Sequence, residues 1–366
     1  MLTQVPSGML QTTAQYYGFK NRIINGAMVI DQRNAGASVT IATSQTYSVD
    51  RWKGFAAVAT SKYSLQQNAG SVTPPTGFTN YLGATSLSAY SVSASDYYAV
   101  SQVIEGYNIA DLAWGTSSAK TVTLSAWVYS SLTGTFGGSL LNASVNRCYP
   151  FTFSIPVANT WTQISITIVG DTTGTWGTTN GAGLTLSFGL GVGSTFSGTA
   201  GAWSSGFYFS ATGATSVVGT NGATFYITGV QLEVGTQATS FDYRPFTTEL
   251  ALCQRYLPVI TTNTTTGGYI GMGSADTTSH VYVFLPYQVP PRVVPTGVYS
   301  PSISYVSVAD FVNPSIVASA VSSIYPSETG SLVGLNLASS TATVYRPYGV
   351  FFNNASGLIY FTGCEL

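Results

Sequence analysis

The chain has 366 residues, enough for two or three domains whose cores need no disulfide support. Only 7% of them are charged, 12 Lys and Arg against 13 Asp and Glu for a net charge of −1, where an ordinary soluble domain carries about 25%. With no basic run the electrostatic term that binds nucleic acid is missing, and no window holds the roughly 18 consecutive apolar residues of a membrane helix, so neither nucleic acid nor membrane insertion is expected.

The opening, MLTQVPSGMLQTTAQYYGFK, lacks the basic segment and apolar run of a signal peptide. Its polar, Gly- and Pro-containing residues 1–18 read as an extended arm or anchor that docks onto a neighbour. Next come "NRIINGAMVIDQRNAG" (Asn21 to Gly36) and "YSVDRW" (Tyr47 to Trp52), and five of the twelve Lys and Arg fall by residue 53.

Strand signals follow. "TVTLSAWVY" (Thr121 to Tyr129) alternates Val122, Leu124, Ala126 and Val128 against polar and aromatic residues, the period of a strand with one buried face. Ile164, Ile166 and Ile168 repeat the pattern, as do Leu184, Leu186, Phe188 and Leu190. Short strands joined by Gly-rich turns, without helical periods between them, predict an antiparallel sandwich or jelly roll over residues 19–246. "TTELALCQRYLP" (Thr247 to Pro258) has an early Glu249, a late Arg255 and a terminating Pro258, which predicts one short connecting helix. With the polar run after it, this makes a helix and linker over 247–266. Strand pattern then resumes, predicting a second, smaller β-sandwich domain over 267–366. The fold class is all-β. Almost no strand carries a Lys to blunt its edge, so closure or subunit packing must protect the edges, and an oligomer is expected.

Reactive groups are scarce. Cys148, Cys253 and Cys364 are far apart and odd in number, which predicts buried free thiols rather than a disulfide framework or zinc site. His280 is the single histidine. A Ser/His/Asp triad would have to be built on it, with Asp276 nearby in sequence, but no GxSxG motif accompanies it and it reads as a hydrogen-bonded strand-end residue. The thirteen acids show no spacing that selects a glycosidase pair. No catalytic residue, metal ligand or cofactor is therefore assigned, a structural calcium is left open, and the chain is not expected to be an enzyme, with a polysaccharide depolymerase or esterase as the enzymatic alternative. Aromatics reach 13%, with 24 Tyr. Trp114, Trp176 and Trp203 lie in Gly/Ser/Thr-rich stretches where a loop could display them to a ligand, whereas Trp52, Trp127 and Trp161 lie on strand patterns and are expected in the core. Aromatic faces among Asn, Gln, Ser and Thr suit contact with a sugar.

The first motifs, "FKNRIINGAMVIDQRNAGASVTI" with "YSVDRW", and a second, "TGVQLEVGTQATSFDYRPFTTELALCQRYL" (Thr228 to Leu257), resemble the opening and closing marks of a domain common in bacteriophage tail-fibre and receptor-binding proteins. They bracket about 240 residues. The resemblance implies a carbohydrate-binding-module-like jelly roll in a homotrimeric fibre or tail tip. Such a protein contacts a host cell-surface glycan, joins other tail or baseplate proteins through its N-terminal arm, and resides in the virion after synthesis in the host cytoplasm. No coiled-coil shaft or attachment domain is evident, which points to a short fibre, a tip on an adaptor, or a head decoration. The motifs hold much of the limited charge. Arg22, Arg33, Arg51, Asp50, Glu233, Asp242 and Arg244 are expected to form structural ion pairs where the first and last strands meet, fixing register more than adding stability.

Overall fold

The computed structural model of the chain describes residues 19–42, 45–57, 61–261, 268–310, 312 and 315–366. The arm expected at 1–18 and the linker residues 262–266 lie outside them. Two compact units divide the chain, one running to Glu249 and the other from Leu250 to Glu365.

The first unit is a jelly-roll β-sandwich. Its strands begin with β1 (Val39–Thr40), β2 (Thr46–Tyr47), β3 (Lys53–Ala56), β4 (Tyr63–Gln67), β5 (Leu82–Ser86) and β6 (Tyr97–Glu105). They continue with β7 (Val122–Ser130), β8 (Gly134–Asn142), β9 (Cys148–Ile155), β10 (Thr162–Ile168) and β11 (Ala182–Val192). The short β12 (Ser197–Gly198) and β13 (Ser210–Ala211) precede the closing strand β14 (Thr224–Val234). One six-stranded sheet has the order β1-β4-β5-β14-β7-β10 and the other β2-β3-β6-β11-β8-β9. Alternation fills the space between them. Val122, Leu124, Ala126 and Val128 of β7 and Leu184, Leu186, Phe188 and Leu190 of β11 all face inward and are buried. Phe136, Phe153, Phe188 and Phe225 meet there with ring centroids 5.7–6.2 Å apart, each contributing about 1.5–3 kcal/mol by leaving water.

The N-terminal and closing motifs meet along β14. The Arg22 N–H donates to the Leu232 carbonyl (2.9 Å) and the Val230 N–H to the Gly26 carbonyl (3.0 Å). Gly26 is required, since a Cβ there would lie 2.2 Å from the Val230 oxygen. The Asn21 amide donates to the Val230 carbonyl (3.0 Å), while its oxygen accepts from the Ile23 and Leu232 N–H groups (2.9 and 3.1 Å). Arg244 donates to the Asn21 and Ile23 carbonyls and pairs with Glu249 at 3.2 Å and Asp242 at 3.9 Å.

Arg22 and Glu233 take charge partners outside the expected set. Arg22 forms a two-pronged pair with Asp111 (2.6 and 2.7 Å), and it is Lys20 that approaches Glu233, at 3.9 Å. Arg51 is buried and donates to the Val103 carbonyl at 2.5 Å. Arg33 lies over the Tyr47 ring, 4.8 Å from its centroid, and Asp50 accepts from the backbone and side chain of Gln32 (2.9 and 2.5 Å).

The connecting helix α1 (Phe246–Gln254) starts one residue before the expected Thr247 and gives way to a turn before Pro258. The second unit contains β15 (Val259–Thr261), β16 (Gly268–Thr277), β17 (His280–Pro286), β18 (Gly297–Tyr299) and β19 (Val306–Ala309). It continues through β20 (Ile316–Pro326), β21 (Gly330–Leu337), β22 (Pro347–Phe352) and β23 (Leu358–Thr362). In place of the smaller sandwich, six strands close into a barrel in the order β16-β17-β21-β20-β19-β22, beside a three-stranded sheet β15-β23-β18. Register shifts between β16 and both its neighbours and between β20 and β21 supply the bending that closure needs. Val281, Val283, Val308, Val333, Val350 and Phe352 fill the interior. Closure leaves the six barrel strands without an edge, whereas the open sheets keep theirs.

All three cysteines are free and buried. Among the described residues no helix is long and apolar enough to cross a membrane, and no group of three or more His, Cys, Asp or Glu could hold a metal ion.

Candidate functional site

A bulge in β14 shapes the outer face of the first sheet. Between Thr228 and Gln231 its pairing with β7 slips, and Gly229 takes φ +59°. A Cβ on Gly229 would lie 2.6 Å from the Phe78 ring, so the glycine lets that ring settle onto the sheet. Beside it, Trp127 pairs across the sheet with Thr228 on one side and Gln163 on the other. Its neighbours Ala126 and Val128 point into the core, so Trp127 projects outward, half-buried.

Two segments rise from this floor, residues 76–79 and 239–243. Their rings Phe78, Phe241 and Tyr243 meet at centroid distances of 4.9–5.5 Å. The second segment is clamped by the outward face of β14. The Thr239 N–H and hydroxyl both donate to Glu233 (2.8 and 2.6 Å). The Gln231 amide also donates to Glu233 (2.8 Å), and its oxygen accepts from the Asp242 N–H (2.8 Å). Gln231 and Glu233 are buried, so the "QLE" of the closing motif acts as the anchor of the cleft wall.

Two hollows share the aromatic ridge. One, of about 230 Å³, is lined by Ser125, Trp127, Gln163 and Ser240; the other, of about 260 Å³, reaches Val29, Thr79, Arg244 and Glu249. Each falls short of the roughly 300 Å³ at which pockets for drug-sized ligands begin, so the surface suits ring-sized groups in succession. Tyr243 is 58% exposed. Burial of the remainder pushes its phenol above its ordinary value. Arg244 and Glu249 are committed to each other and to the backbone of Asn21, Ile23 and Asn25. The cleft therefore offers apolar ring faces, hydroxyls and an amide, chemistry that fits a neutral polyhydroxylated ligand.

The loop tryptophans are placed differently. Trp114 and Trp176 are buried in the core, and Trp203 packs half-buried against them. Their centroids lie 4.7–5.4 Å apart, all edge-to-face. Every indole N–H is used: Trp114 donates to the Lys120 carbonyl (2.8 Å), Trp176 to Thr173 and Asp171 (both 3.3 Å), and Trp203 to the Val169 carbonyl (2.6 Å). The surrounding glycines permit close packing, not display; a Cβ on Gly115, at φ +85°, would lie 2.7 Å from the Gly174 oxygen. Trp52 is fully buried, whereas Trp127 and Trp161 lie half-buried outside the core. Trp161 caps a second outer patch in which Tyr129 and Tyr226, directly paired across β7 and β14, stack at 5.2 Å with planes 4° apart. Phe78, Phe241 and Tyr243 escaped the sequence reading. The available signal was the isolated Gly229 within a strand pattern, which marks a bulge or close approach.

No protein-family profile matches the chain, and no curated protein does. Among solved structures, the chain is similar to the enzymatically active domain of tailspike protein 4 of bacteriophage CBA120, at 11% identity and a TM-score of 0.29, over 57% of this chain and 22% of that one. It is also similar to the family 11 carbohydrate-binding module of the cellulosomal cellulase Lic26A-Cel5E of Clostridium thermocellum (11%, TM-score 0.28, 54% and 98% covered). A third similar structure is TmCBM61 in complex with β-1,4-galactotriose (8%, TM-score 0.27, 50% and 88% covered).

Proposed function

We propose that this chain is a bacteriophage fibre or tail-tip protein that recognises a host-surface glycan through the aromatic cleft of its first unit. The observation that supports it most is the clamped ridge of Phe78, Phe241 and Tyr243 over a floor of Trp127 and Gln163. Ring faces there can stack on sugar C–H groups while Gln163 and Ser240 meet hydroxyls. Binding in the cleft involves no chemistry, since its acid and base are tied to the scaffold. The virion setting rests on the two motifs quoted above and extends to a homotrimer that joins other tail proteins through residues 1–18. Three copies would turn weak single-site contacts into firm attachment.

A glycan array probed with the purified full chain, followed by calorimetry on the best ligand, tests this reading. Binding that disappears in Tyr243→Ala and Trp127→Ala while both variants melt like the parent supports it; binding unchanged in both overturns it. Competition with phage adsorption and the solution mass of the chain test the virion setting and the trimer.

A further inference from the structure

We propose that Asp276, His280 and Ser322 of the second unit form an acyl-transfer site for carboxylic esters, independent of the cleft. His280 opens β17, just after the hairpin turn from β16, which carries Asp276. Its Nδ1 lies 2.5 Å from Asp276 Oδ1 and its Nε2 2.7 Å from Ser322 Oγ. A carboxylate can only accept, so Nδ1 holds the proton and Nε2 turns its lone pair to the serine hydroxyl. This is the order of orienting carboxylate, base and nucleophile that activates a serine.

Irregularities in the barrel put the three groups together. The β16–β17 register slips between Ala275 and Thr277, at Asp276, and the β20–β21 register slips between Val321 and Ser323, leaving Ser322 as the extra residue. A bulge of this kind re-aims a side chain away from the regular pleat. Gly334 lies opposite. A Cβ there would meet Ser322 Oγ at 2.5 Å, Ser323 Oγ at 2.5 Å and His280 Nε2 at 2.7 Å, so any larger residue would push the three apart. Ser322 is exposed, and the His280 and Asp276 side chains are 14% and 42% exposed, so an ester can approach from solvent. Tyr282 stands edge-on to the imidazole at 4.7 Å and fixes its plane.

In the reaction Ser322 Oγ attacks the acyl carbon as its proton passes to His280 Nε2. The C–O bond to the alcohol then breaks, and the departing oxygen takes that proton. Water, deprotonated by His280, attacks the acyl-serine, releases the carboxylic acid and restores the hydroxyl. Asp276 acts as a positioning residue.

The full chain would be treated with a fluorophosphonate probe, digested and mapped, and its hydrolysis of 4-nitrophenyl acetate followed from pH 5 to 8. Expected are a phosphonyl adduct on Ser322 and a hydrolysis rate that rises with pH across this range. His280→Gln is expected to slow both by about a hundredfold or more, Ser322→Ala to abolish the adduct, and Asp276→Asn to lower the rate and displace the pH profile, each with an unchanged melting temperature. No adduct on Ser322 of the folded parent, equal labelling in His280→Gln, or a pH-independent rate overturns the proposal. Should Ser322→Ala fail to fold, the parent's labelling site and pH profile decide.

Discussion

The first unit holds two aromatic groups that share chemistry and differ in role. Trp114, Trp176 and Trp203 plug one end of the sandwich, with every indole N–H consumed by the scaffold. Phe78, Phe241 and Tyr243 form a ridge whose most exposed member keeps a free polar tip in water. Glycine and serine surround both. Local composition therefore does not decide exposure; what decides it is whether the rings fill the space between sheets or stand on a sheet's outer face.

The largest test of this contrast is Trp176→Ala. It removes a buried ring at the centre of the plug and should cost about 3–5 kcal/mol, read as a lower unfolding midpoint in denaturant. Glu233→Ala comes next. It strands the N–H and hydroxyl of Thr239 and the amide of Gln231, a loss of about 2–3 kcal/mol, and it should weaken glycan binding as well because the cleft wall loses its anchor.

Asp171 sharpens the plug side through pH. Burial acts to raise its carboxyl, and the hydrogen bonds from Arg147 and Thr173 outweigh it, so the folded value lies below the ordinary one. A depressed carboxyl stabilises fully above the unfolded value, about 3.9, and that contribution is lost as pH falls below it. The melting temperature of Asp171→Asn should accordingly fall less than the parent's on acidification below about pH 4. Equal slopes would show that the Arg147 pair contributes nothing measurable.

Tyr243→Ala reverses the pattern. Stability should change by less than about 1 kcal/mol, while affinity for the bound glycan falls about tenfold or more. The smallest signal comes from Cys148, whose thiol is pushed up by burial next to the Tyr149–Trp203 contact. Iodoacetamide at pH 8 should leave it unmodified in the parent and begin to label it in Trp176→Ala, marking an opened plug.

Much of this was legible from the chain alone. The alternation of β7, β10 and β11 places their inward faces, and the same alternation could have shown that Trp127 points outward, because Ala126 and Val128 take the core side. Trp114, Trp176 and Trp203 were not legible. Gly-rich sequence is compatible with both a displayed loop and a tight one, and only the distance from Gly115 to Gly174 distinguishes them. The motif charges were legible as a meeting point but not in every partner, since Arg22 pairs with Asp111 and Glu233 with Lys20, neither of which the motifs single out. The barrel was read as a sandwich because closure depends on register slips, and slips of one residue leave no mark in hydropathy. Ser322 stands 42 residues from His280, and nothing local connects them.

The strap of residues 20–26 along β14 has a consequence for biosynthesis. Its bonds to Val230, Leu232, Asp242 and Arg244 join positions separated by 209 to 223 residues. A nascent chain cannot finish this unit until almost all of it has left the ribosome, and pairing across such separations is slow. Truncation before Arg244 should then yield a species that stays bound to chaperones, and the completed unit should resist spontaneous opening because release requires the first and last segments to detach together.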